Sequence, residues 1–197
     1  MKSIILAVAL LISASMMVAQ NTANATWTGS ATCDLTVTGP SSYSDTQTHK
    51  WTMTGAAPTH SGAFDYYPAT WTVTGRGSFE RSQGTQTLRG QWERNASSAN
   101  AQIAVIVRAS DGAILIKSGH AQQHPVHGTQ EVREGGKIKS SAKIDLEAFE
   151  IAFPANQGAA NATRISGQKS ESPSGSFGPM QPGGSKVSVK CSWDFQR

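Results

Sequence analysis

Apolar and polar residues alternate strictly at both ends of the chain. In residues 26–39 the odd positions are Trp27, Gly29, Ala31, Cys33, Leu35 and Val37, and the even positions are threonines, a serine and Asp34. Near the other end, Val187, Val189, Cys191, Trp193 and Phe195 alternate with Ser188, Lys190, Ser192, Asp194 and Gln196. Successive side chains on a strand point to opposite faces, so each segment predicts a strand with one apolar and one wet face. Both cysteines of the chain fall on the apolar faces.

Between these ends an apolar-Thr-apolar-Thr-Gly unit recurs as Leu35 to Gly39, Trp51 to Gly55 and Trp71 to Gly75. β-branched residues in alternation, each set closed by a glycine that permits a turn, predict successive strands of a meander. Further strands are predicted at 77–81 and 85–94. Ile103, Val105 and Val107 then lead through an Asp111-Gly112 turn to a return strand at 114–117. Residues 137–147 and 148–153 read as strands, with a bulge or bend where the apolar parity switches between Leu146 and Phe149. Residues 41–49 read as a polar segment and 119–136 as a charged, histidine-bearing loop. Residues 154–185, rich in Gly, Ser, Pro, Asn and Ala, read as a flexible segment. No window carries helical periodicity. The expectation is one all-β domain over 26–197, an antiparallel sandwich or partly closed barrel of about eight to ten strands with its first and last strands paired.

The first 25 residues change the picture of where the protein works. Lys2, an apolar run from Ile4 to Val18 and the small residues Ala23-Asn24-Ala25 predict a signal peptide cut after Ala25. The run is shorter than the roughly 20 residues that span a bilayer. Export predicts a secreted or periplasmic protein, and with it a disulfide between Cys33 and Cys191. Of 17 basic and 13 acidic residues only Lys2 lies in the leader. The remainder is mildly positive, with no basic stripe of the kind nucleic acid requires. Lys137, Lys139 and Lys143 alternate along one strand and read as a solvated face.

Three constellations could carry chemistry. His120, His124 and His127 fall within eight residues, and neutral imidazole suits zinc or a similar metal. His49 and His60 read as isolated surface residues. Asp145 and Glu147 share one strand face roughly 6.5 Å apart, a separation at which carboxylates act as an acid and nucleophile on sugars. The segment resembles the acid-x-acid-x-acid strand of jelly-roll glucanases, but Lys143 stands at the first carboxylate of that pattern, where the resemblance would place the nucleophile. Phe64, Tyr66 and Tyr67, read as a Pro/Gly-flanked loop ending at Pro68, suit contact with a sugar or a partner. No Gly-x-Ser-x-Gly elbow, phosphate loop or spare cysteine is present. The leading expectation is therefore a non-catalytic surface, envelope or ligand-binding module without a cofactor, acting on an unknown extracytoplasmic ligand or protein. A polysaccharide hydrolase and a metal-binding protein are the alternatives.

Overall fold

The computed structural model describes residues 26–119, 122–149, 151–153 and 156–197. The predicted leader and His120 lie outside them. The described chain forms eleven strands and no helix: β1 (Thr28–Gly39), β2 (Tyr43–Met53), β3 (Thr59–Ser61), β4 (Phe64–Gln83), β5 (Gln86–Val107), β6 (Ile114–Ser118), β7 (Gln123–Glu134), β8 (Lys137–Phe149), β9 (Asn156–Gly158), β10 (Arg164–Glu171) and β11 (Lys186–Gln196). All pair antiparallel in one sheet of order β10-β11-β1-β2-β4-β5-β6-β9. The sheet does not close into a barrel. β3 adds to β4, and β7 with β8 add to the first half of β5, whose second half pairs β6.

The alternation at the chain ends sets the centre of this sheet. β1 and β11 are direct neighbours with Cys33 opposite Cys191, and the two are joined as a disulfide. The three Thr-rich units become the adjacent strands β1, β2 and β4, with Trp51 opposite Trp71. Their apolar residues are buried while the threonines face outward, as the period of two requires. The sheet curls over this inner face. β2 and β7 are separated by β4 and β5, yet His49 of β2 and His124 of β7 meet with ring centroids 5.9 Å apart. Trp51, Phe153 and Phe195 pack across the same interior, the first pair edge to face. Burial of such large rings is the main apolar contribution to a core of this size.

Several sequence expectations are corrected. Residues 41–49 contain most of β2, whose inward positions happen to be polar. Residues 119–136 hold β7, a strand rather than a loop. Pro125 is tolerated there because β7 pairs only β8 at that point, its bonding to β5 starting at His127, so the missing N–H leaves no second ladder broken. Phe64, Tyr66 and Tyr67 begin β4 and are not on a loop. The 154–185 segment contains β9 and β10, which find partners in β6 and β11. The bulge expected between Leu146 and Phe149 is absent, β8 keeping register with β7 throughout that stretch. The irregularities fall instead at Val132/Arg133 and at Ala69/Trp71.

Candidate functional site

The inward face of β2 reads Tyr43, Asp45, Gln47, His49, Trp51 and Met53, every one buried. Its first four members are polar, and Tyr43, Asp45 and Gln47 are each answered by a hydrogen bond with a distant part of the chain. Arg94 of β5 donates from both Nη atoms to the Asp45 carboxylate at 2.6 and 2.8 Å, and Trp92 donates its indole N–H at 3.1 Å. The Asp45 and Arg94 side chains are both 0 % exposed. Burial raises the Asp45 pKa, and the hydrogen bonds from Arg94 and Trp92 oppose that rise. The bidentate geometry is the strong form of a charge-assisted contact. Trp92 reaches Asp45 because it lies against Gly77, where a β-carbon would sit 2.3 Å from its ring.

Residues 172–185, between β10 and β11, cross this seam as a strap. The Tyr43 hydroxyl donates to the Pro179 carbonyl at 3.0 Å, and Gln47 Nε2 donates to the Phe177 carbonyl at 2.8 Å. Gly178 lies between them, and a β-carbon there would sit 2.3 Å from both Asp45 Oδ2 and the Tyr43 hydroxyl. Close approach of the strap therefore requires glycine at that position. Gln181 ties the strap to itself, accepting from the Phe177 N–H and donating to the Gly175 carbonyl.

The bond from Gln47 to the strap also sets a tautomer. With Nε2 donating to Phe177, Gln47 Oε1 can only accept, so His49 Nε2, 3.0 Å away, carries the proton. His49 Nδ1 is left as a buried acceptor without a partner. The Trp71 indole N–H, Arg94 Nε and both ring nitrogens of His124 are likewise buried and unpartnered among the described residues. The rings of Trp71, His49 and His124 lie 5.4–5.9 Å apart. Buried polar atoms are nearly always bonded in folded proteins, so such a concentration sets this part of the core apart.

Burial holds the His49 pKa down to about 3 and the His124 pKa to about 4, aided by the Arg94 charge and, at His49, by the neighbouring His124. Both imidazoles are neutral in the folded protein at neutral pH. In the unfolded chain each takes up a proton near pH 6.5, so the unfolded state binds more protons below that value. Their contribution to stability is complete above about pH 6.5 and is lost as pH falls toward 4, by roughly 1.4 kcal/mol per unit for each ring. Urea midpoints measured from pH 7 to pH 4.5 are expected to fall steeply for the native sequence and less so for His49→Gln/His124→Gln.

Beside the seam, between the strap and the sheet, lies a cleft of about 530 Å³. Gln47 and Arg94 border it on the polar side. Val126, Ala148, Ile151, Phe177 and Val189 supply apolar walls, with Glu147 and Glu171 also at its border. That volume and that mix of apolar walls with few polar groups are those of small-molecule sites. A trough of about 750 Å³ elsewhere is larger, but Thr46, Arg76, Glu93 and His127 line it with exposed polar groups.

The residues singled out from sequence are scattered. His124 is buried, whereas His127, three residues along the same strand, is exposed and 3.0 Å from Asp145. The two therefore occupy opposite faces, and the ring that meets His124 is His49, which the sequence reading left on the surface. Among the described residues no three His, Cys, Asp or Glu side chains converge. Asp145 and Glu147 are both exposed. Phe64 and Tyr66 stack 5.7 Å apart, half-buried, with Lys117 Nζ 5.1 Å from the Phe64 ring, while Tyr67 is buried in the core. None of these aromatic residues borders the cleft. The missed residues had one signal: Asp45, Gln47 and His49 continue the inward parity of Trp51 and Met53. Comparison with known protein families, curated proteins and solved structures finds no match to this chain.

Proposed function

We propose that this chain is an exported, non-catalytic binding domain that holds a small amphipathic molecule in the cleft beneath the strap. The observation that carries the reading is the cleft itself, whose apolar walls meet Gln47 and the buried Asp45–Arg94 pair at one border. A ligand with an apolar body and a small polar end matches that lining. A binding role suits the seam better than catalysis does. The Asp45–Arg94 pair is closed on itself and the two buried histidines are neutral, so no group there is poised to move a proton.

Native mass spectrometry of the protein, purified from the exported fraction without denaturant, tests this. The expected result is a stoichiometric adduct of a few hundred daltons on the native sequence that is absent from Ala148→Trp, a change that fills the cleft and leaves the seam intact. An adduct retained equally by Ala148→Trp would place the ligand elsewhere and end the proposal.

A further inference from the structure

The strap supplies one wall of the cleft, through Pro173, Ser176, Phe177, Gly178 and Pro179, and it is held differently from the sheet side. Between positions 172 and 185 Pro179 is the one buried residue, with Phe177 packed partly against the core. Two side chains of β2 reach it from the sheet, Tyr43 donating to the Pro179 carbonyl at 3.0 Å and Gln47 to the Phe177 carbonyl at 2.8 Å. Val126 and Ala148, on the sheet side, sit instead in the β7–β8 ladder. A segment with little buried apolar surface opens locally at far lower cost than a packed strand.

We propose that residues 175–182 of the strap are the gate of the cleft, lifting as one piece while the sheet stays folded, with Tyr43 and Gln47 as its latches. The inference rests on the cleft being the ligand site. Gln181 makes the piece. It accepts from the Phe177 N–H at 2.7 Å and donates to the Gly175 carbonyl at 2.9 Å, so the turn keeps these bonds when it leaves the sheet. Glycines bound it: Gly175 has φ +139° and Gly184 φ +77°. A β-carbon added at Gly183 or Gly184 would meet nothing within 4 Å, so backbone rotation there disturbs no packed neighbour.

What the gate uncovers sets the cost of opening it. Beneath it lie the Tyr43 hydroxyl, the Asp45 carboxylate and the Gln47 amide, against Pro179, Gly178 and Phe177. Water can bond all three once the strap lifts, so the lost bonds are replaced and little apolar surface is exposed. The polar inward positions of β2, beside the apolar ones of β1, therefore have a use. A strap seated on residues like Leu35 and Val37 would be held shut by hydrophobic burial.

Native-state thiol labelling tests the motion, and ligand kinetics test the gating. Pro179→Cys puts a thiol at the buried seat of the strap, and Val73→Cys puts one inside the sheet. Cys33 and Cys191 are already joined. With iodoacetamide, Pro179→Cys is expected to react at a rate that low urea leaves unchanged, and Val73→Cys at a rate that rises with urea as the whole fold opens. Adding Tyr43→Phe removes one latch and should speed the first reaction by about three- to tenfold. Gly178→Ala wedges the strap against Asp45 and Tyr43, and it should speed decanoate release by at least about tenfold while one-to-one binding is kept. Equal urea dependence of the two thiols overturns the proposal, and so does decanoate release that neither Gly178→Ala nor Tyr43→Phe changes. Those results leave the cleft reading standing, whereas a native chain that binds no decanoate ends both.

Discussion

Arg94→Met is expected to lower the unfolding free energy by about 3–5 kcal/mol, the cost of leaving one member of a buried ion pair alone. The reasoning starts from full burial of both side chains. Asp45 keeps the indole N–H of Trp92 but loses both guanidinium bonds, at 2.6 and 2.8 Å, and its charge has no route to water. The carboxyl then takes up a proton more readily, so the deficit should shrink as pH is lowered toward the acid range. The double variant Asp45→Leu/Arg94→Met removes both charges together and should recover most of the loss, because a buried pair replaced by apolar groups of similar volume is often neutral. Urea denaturation of the three proteins checks the order. Equal stability of Arg94→Met and the native sequence would mean that the pair is solvated in solution.

Removing the disulfide by Cys33→Ala/Cys191→Ala is expected to cost roughly 5 kcal/mol in the chain-entropy model. The bond spans a sequence separation of 158 residues and ties together the two strands whose pairing the whole sheet is built around. Its effect acts mainly on the unfolded chain, which without it can separate its ends. β1 and β11 keep eleven directly opposed residue pairs without it, so the variant should retain the native far-ultraviolet spectrum at low temperature while its thermal midpoint falls. A variant with an unchanged midpoint would show that the strand pairing alone holds the ends together.

The parts of the fold legible in the sequence are those where inside and outside differ in chemistry. β1 and β11 could be read because Trp27, Cys33, Leu35 and Val37 alternate with threonines, and the facing cysteines followed from that parity. β2 was legible only from Trp51 onward. Its earlier inward residues, Asp45, Gln47 and His49, are polar, and what makes their burial possible lies far along the chain: Arg94, Trp92 and the Phe177 carbonyl, the last 130 residues away. No local pattern announces such partners. β7 was hidden for a related reason, since its histidines, Gly128 and Pro125 have loop composition and gain strand geometry only from β5 and β8. The cleft itself exists because a Gly- and Pro-rich strap lies over the seam, and composition marked that strap only as flexible. The exposed carboxylates Asp145 and Glu147, by contrast, were visible in the sequence and belong in the structure to the edge strand, outside any buried catalytic setting.

The cleft is the central claim, and the most direct test compares two probes that differ only in their polar end. Decanoate and decanol should be titrated into the full chain by calorimetry at neutral pH, with Ala148→Trp as the filled control. The account predicts one-to-one binding of both probes through the apolar chain, and loss of both on filling the cleft. Binding of neither probe, or binding that Ala148→Trp leaves unchanged, would contradict it.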